Sequence, residues 1–192
     1  MTDEEALRRL LLARSVRHGD FLLSSGQRSS YYIDCRLSTM SAEGMVLIGR
    51  MGLAAIRRAG WTPRAVGGLT MGADPVAYAI AAASHGAGLE IDAFSVRKEP
   101  KAHGTGRQIE GNFRAGDPVV VVEDTITTGA SARQAISAIE AAGGRVLGVL
   151  AVVDRQQGGS EALEIAGIEV AVLTTATALG LEQGNGERQS RP

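Results

Sequence analysis

Glu123 and Asp124 stand side by side after four consecutive valines, and the hydroxyl- and glycine-rich run TITTGAS follows them. Adjacent carboxylates suit sugar hydroxyls or a cation. Gly129 and its neighbours can gather several backbone N–H groups around one anion before a helix begins. A second cluster places Arg97, Lys98, Lys101 and His103 within seven positions, followed by Gly104 and Gly106 as hinges. A solvated charged turn has this composition, and so does a mobile cover over a polyanion. Arg155, in Asp154-Arg155-Gln156, ends the apolar run VLGVLAVV. A guanidinium there could grip a carboxylate with two parallel hydrogen bonds, although arginine at a strand end is more often a plain surface charge.

These residues need elements to hold them. The valine run is β-branched and reads as a strand buried on both faces, hence central in a parallel sheet. Residues 3–17 read as an amphipathic helix capped by Thr2 or Asp3, and FLLSSGQRSSYYID as two short strands joined by a turn around Gly26. A helix over 41–59 starts with a capping Ser41 and stops at Gly60. Beyond it, strands near 65–69, 91–97, 119–123, 146–153 and 170–173 alternate with helices near 75–84, 130–142 and 160–166. That alternation implies right-handed crossovers and an α/β fold with a central parallel sheet flanked by helices. In such a sheet, ligands bind beyond the carboxyl ends of the strands. Four polar loops follow strands there: GLTMGADP, RKEPKAHGTGR, EDTITTGAS and DRQQGG.

The chain has 192 residues, 44% hydrophobic and 21% charged, with a net charge of -1. This length suits one domain. The near-neutral charge gives no support to nucleic-acid binding through a broad basic surface, and no apolar run approaches the length of a membrane span. One cysteine, Cys35, excludes an internal disulfide framework and fits a reducing cytoplasm. Only Lys98 and Lys101 are lysines among 20 Lys and Arg residues. His18 and His85 have no partner pattern. A P-loop needs G-x-x-x-x-G-K-[ST], which is missing, and GTGRQI fails as a dinucleotide fingerprint because Ile109 replaces its third glycine. The tail GNGERQSRP is polar and expected to be disordered.

A hydrophobic strand, two acids and a Thr/Gly/Ser turn resemble the phosphoribosyl pyrophosphate (PRPP) signature of the type I phosphoribosyltransferases. Together with RKEPKAHGTG, the chain is similar to the orotate phosphoribosyltransferases from about residue 21 to 159. The resemblance implies the type I phosphoribosyltransferase fold, with a core over about 41–173 and a small hood from about 1–40 and 174–184. It implies transfer of ribose 5-phosphate from PRPP to N1 of orotate, with release of pyrophosphate, in UMP biosynthesis. Glu123, Asp124, Lys101 and His103 would be catalytic. PRPP would meet Arg97, Lys98, Lys101 and His103, the turn Thr70, Met71 and Gly72, and Glu123 through Ser131, namely Asp124, Thr125, Ile126, Thr127, Thr128, Gly129 and Ala130. Orotate would meet Tyr32, Ile33, Thr127 and Arg155.

By pattern alone GLTMGADP is only a strand-to-helix turn and SSGQRSSYYID only a strand pair. Many family members carry lysine where this chain has Ser24 and Gly72. Mg²⁺ is implied as cofactor, bound through PRPP oxygens and water without direct side-chain ligands. A homodimer whose loop closes over the neighbouring site is implied as well. The length leaves no room for a fused decarboxylase. A phosphoribosyltransferase for another base, or a PRPP-binding regulator, remains the alternative.

Overall fold

A computed structural model describes residues 1–22, 28–99 and 108–181. In chain order these form α1 (Asp3–Arg14), β1 (Val16–Leu22), β2 (Arg28–Ile33), α2 (Arg36–Thr39), α3 (Ala42–Arg58), β3 (Ala65–Leu69) and α4 (Ala73–Gly86). They continue as β4 (Asp92–Val96), β5 (Ile109–Gly111), β6 (Pro118–Ile126), α5 (Ala130–Ala141), β7 (Arg145–Asp154), α6 (Gly159–Ile165) and β8 (Val170–Thr175). The sheet order is β5-β4-β3-β6-β7-β8, parallel except for the β4–β5 pair, and β1 and β2 form a separate antiparallel ribbon.

The valines of β6 show why the sheet is layered as it is. Side chains alternate along a strand. Val120 and Val122 join a core with Ile48 and Ile56 of α3 and Val76 and Ile80 of α4. Val119 and Val121 join an opposite core with Ala135, Ile136 and Ile139 of α5 and Leu163 of α6. All four valines are fully buried, and each contributes about 1.5–3 kcal/mol relative to exposure. The first core also gathers Leu7, Leu11, Tyr31 and Cys35 with Ala176, Leu179 and Leu181 from the end of the described chain.

Local signals set several boundaries. Thr2 closes a capping box on α1: its N–H donates to Glu5 Oε2 at 2.7 Å, and its hydroxyl accepts from the Glu5 N–H at 3.2 Å. Ser41 caps α3, and Gly60 follows the helix at φ 70°.

Four features differ from the sequence reading. Helix α1 ends at Arg14, not Arg17, because Ser15 turns inward to bond Ser38 through their hydroxyls at 2.6 Å and the next residues pair with β2. Strand β6 runs on to Ile126, so Glu123 and Asp124 lie within it, held by ladder pairing to β7 through Asp154. The four-residue α2 and the three-residue β5 were not anticipated. β5 makes one sheet edge antiparallel. The turn around Gly26, Ser24, Lys101, His103, Gly104, Gly106 and the tail lie outside the described residues.

The chain order reverses between β3 and β6, which are neighbours although β4 and β5 intervene in sequence. This switch point leaves a crevice at the carboxyl ends of the strands.

Candidate active site

The crevice is a cleft of about 550 Å³. One wall is the turn after β3. There the Thr70 N–H donates to Val96 O at 2.8 Å, the Thr70 hydroxyl donates to Asp74 Oδ2 at 2.9 Å, and the Thr70–Met71 peptide is cis. Gly72 lies close against Asp124: a Cβ there would stand 2.7 Å from Oδ1 of Asp124, so a side chain at this position would need the carboxylate to move. The opposite wall is the end of β6 and the start of α5. Gly129 takes φ 71° as N-cap of α5, and no side chain caps that helix. Residues around it enclose a smaller pocket of about 80 Å³ running from Glu123 to Ala132. The first-turn N–H groups of α5 therefore meet space that an anion of phosphate size can enter.

Glu123 is 4% exposed, and its Oε1 has no hydrogen-bond partner among the described residues. Burial first, and then the charge of Asp124, push its carboxyl up to about 8. Asp124 is also raised, chiefly by burial, with the Thr125 N–H and the Arg36 guanidinium pulling the other way. Two buried acids that resist ionising are ready acceptors, or a donor and an acceptor, for the paired hydroxyls of a ribose.

Arg155 lines the cleft, 7% exposed, with Nε and Nη2 unpartnered among the described residues. Its position is fixed from behind. The backbone N–H donates to Ile126 O at 2.9 Å, and the guanidinium carbon stands 5.1 Å from the centre of the Tyr31 ring. Next to it, Asp154 accepts from the Gln156 N–H and from the Ser160 hydroxyl, both at 2.7 Å. A buried guanidinium with free N–H groups is costly unless a ligand supplies the acceptors. A planar carboxylate supplies them best.

No protein-family model matches the chain. The orotate phosphoribosyltransferase of Mycobacterium avium is 48% identical over 177 residues, covering 92% of this chain and 96% of that protein. The chain belongs to the orotate phosphoribosyltransferase family. The orotate phosphoribosyltransferase of Rhodopirellula baltica is 44% identical, covering 90% of this chain and 92% of its own. In structure, the Mycobacterium tuberculosis orotate phosphoribosyltransferase in complex with PRPP superposes with a TM-score of 0.80 at 42% identity, covering 94% of this chain and 100% of that one.

The residues that the family resemblance picked out fall together in part. Tyr32, Ile33, Thr70, Met71, Gly72, Lys98, Glu123, Asp124, Thr125, Thr127, Ser131 and Arg155 all line the cleft. Ile126, Thr128, Gly129 and Ala130 surround the smaller pocket. Ile126 is buried in the second core, so only its backbone is on offer to a ligand. Arg97 does not line the cleft, and its guanidinium lies 4.0 Å from Glu110. Lys98, by contrast, lines the cleft of its own chain, and its carbonyl accepts from Gln134 Nε2 on α5 at 2.8 Å.

Three residues escaped the sequence reading. Tyr31, fully buried, supports Arg155, whereas its neighbour Tyr32 is 40% exposed. Strand alternation through YYI carries that signal. Asp34 and Arg36 also line the cleft, and nothing in their local spacing distinguishes them from a surface pair. Cys35 lies between them; burial pushes its thiol up to about 12, so it stays protonated. Among the described residues no three His, Cys, Asp or Glu groups converge to hold a metal, and no helix is long and apolar enough to cross a membrane.

Proposed function

We propose that this chain transfers ribose 5-phosphate from PRPP to N1 of orotate, releasing pyrophosphate and forming orotidine 5'-monophosphate on the way to UMP. What carries this reading is the buried guanidinium of Arg155, whose Nε and Nη2 have no partner among the described residues, lining the same cleft as Glu123, Asp124 and the start of α5. Carboxylate, sugar and phosphate are each given matching chemistry in one space.

In this reading the 5'-phosphate occupies the Thr125 to Ser131 turn. Glu123 and Asp124 take the ribose hydroxyls. The Thr70 to Gly72 turn and Lys98 take the diphosphate, and orotate lies by Tyr32, Ile33 and Thr127 with its carboxylate on Arg155. As the bond to diphosphate breaks, positive charge grows on the ribose and negative charge on the leaving group. The acid pair stabilises the first and Lys98, with Lys101, the second. His103 would donate a proton to the departing diphosphate. The cleft's acids offer only oxygen donors, which suits a hard cation, and Mg²⁺ bound with PRPP would neutralise diphosphate charge. The buried free thiol of Cys35 agrees with a cytoplasmic setting.

The reaction is checked by mixing PRPP and Mg²⁺ with orotate, uracil, adenine, guanine or hypoxanthine and following pyrophosphate. Orotate alone should react; turnover of another base without orotate would refute the assignment.

We also propose a homodimer in which Lys101 and His103 serve the partner's site. Supporting it, Tyr32 and Met71 line the cleft yet stay exposed, as does Leu37 next to Arg36, an apolar rim suited to a second copy. Lys98 is assigned to its own chain's cleft instead of the partner's. Mixing inactive Lys101→Ala and Asp124→Asn proteins should restore activity, because one site of each mixed dimer then carries neither defect. No recovery despite demonstrated subunit exchange would exclude the shared site.

A further inference from the structure

Arg36 is a cation of the cleft to which the reading above gives no task. Three cationic side chains among the described residues line this space: Arg36, Lys98 and Arg155. Arg155 is buried, whereas Arg36 is half-exposed, with Nε held by Asp34 Oδ1 at 2.8 Å and Nη2 by Asp34 Oδ2 at 3.0 Å. The Arg36 N–H also donates to Asp34 Oδ1 at 3.2 Å, fixing the start of α2. Asp34 is driven below the usual carboxylate range, first by its hydrogen bond from Arg36, and the Arg36 pKa is raised in return. This fork occupies one edge of the guanidinium and leaves Nη1 without an acceptor among the described residues.

The cleft places that free nitrogen. Arg36 lines the same space as Thr70, Met71, Gly72 and Asp124, and its charge opposes the rise that burial imposes on the Asp124 pKa. Asp124 in turn packs against Gly72, where a Cβ would stand 2.7 Å from Oδ1 and 2.8 Å from Cγ. The turn that holds Gly72 can give N–H groups but no positive charge of its own. A diphosphate is bound best where fixed cations face it, since each charged hydrogen bond is stronger than a neutral one.

We propose that Arg36 is a further substrate-binding residue that receives the diphosphate of PRPP through its free edge, with Asp34 as the residue that aims it. The proposal rests on the placement of the diphosphate at the Thr70 to Gly72 turn. The pair also links two ends of the substrate set. Tyr32 and Ile33 at the end of β2 would border the base, and three residues on, the start of α2 would present the cation for the leaving group. Arg36 draws the diphosphate across Asp124 and offsets the acid that would otherwise repel it.

The test compares four ligands on the whole enzyme. Arg36→Gln should raise KM for PRPP and the inhibition constant of pyrophosphate by about 10- to 100-fold, the loss of one charged hydrogen bond. Ribose 5-phosphate and orotate should bind within about twofold of the unmodified enzyme, since neither carries a diphosphate. Arg36→Lys should recover part of the loss, and Asp34→Asn, which keeps the charge but loosens its aim, should fall between. Equal weakening of ribose 5-phosphate would make Arg36 a general attractor of anions and overturn the assignment. So would an effect on orotate alone, or none at all. Failure of the unmodified protein to bind orotate or PRPP would instead overturn the function proposed above, and this role with it.

Discussion

Arg155→Met should cut kcat/KM for orotate by about 30- to 1000-fold, the equivalent of 2–4 kcal/mol for a two-point charged contact. The KM for PRPP should stay within about threefold, because the phosphate-binding turns are untouched. The same change should raise the melting temperature of the unliganded protein by about 2–8 °C. The reason lies in its burial: Arg155 is 7% exposed with Nε and Nη2 unpartnered among the described residues, and a buried charge without full pairing costs stability. Methionine removes that burden and fills similar volume over Tyr31. Steady-state kinetics with each substrate and a thermal melt check both halves. Equal loss for PRPP and orotate would deny Arg155 its carboxylate role. An unchanged or lowered melting temperature would show that the guanidinium is satisfied without ligand. Arg155→Lys should rescue little, since an ammonium lacks the planar fork.

Glu123→Gln should abolish a pH-dependent instability of the unliganded protein. The carboxyl is held at about 8 in the fold against an ordinary value of 4.5. Between those values the unfolded chain has lost the proton that the folded chain keeps. Stability therefore falls as pH rises from about 4.5 to about 8 and is flat outside that window. The shift bounds the effect at about 5 kcal/mol. The melting-temperature advantage of Glu123→Gln should accordingly be small at pH 4 and largest near pH 9. A constant difference across that range would mean that Glu123 is already ionised in the folded state. Turnover should fall in the same variant most clearly above about pH 8, where the carboxylate would be ionised and glutamine cannot carry the negative charge that would face the developing cation of the ribose.

Much of this was legible before any coordinates, and the limits have physical causes. Four β-branched residues in a row leave few options except a strand covered on both faces, so the central strand and its layers could be read directly. The strand was read as ending at Glu123, with Asp124 just beyond it. Ladder bonds to β7 carry the strand on past them, and such bonds are set by a partner strand rather than by the residues themselves. β5 follows the same logic: the tripeptide Ile109–Gly111 has little intrinsic preference and is a strand because β4 offers an edge. For the site, Arg155 and the α5 turn were visible as motifs. Arg36 was not, since a short Asp-x-Arg spacing reads as solvent until the fold brings it to Asp124. Tyr31 and Tyr32 could be told apart only once the facing of β2 was known.

The first turn of α5 has one more consequence. Gly129 supplies the bend but no oxygen, and no acidic side chain stands in that turn, so this helix begins without the partner that Thr2 gives α1 or Ser41 gives α3. In the proposed complex the phosphate of PRPP would accept from the N–H groups of that turn and so complete the helix as well as the substrate site. Ligand occupancy and local order at this turn would then form a single equilibrium.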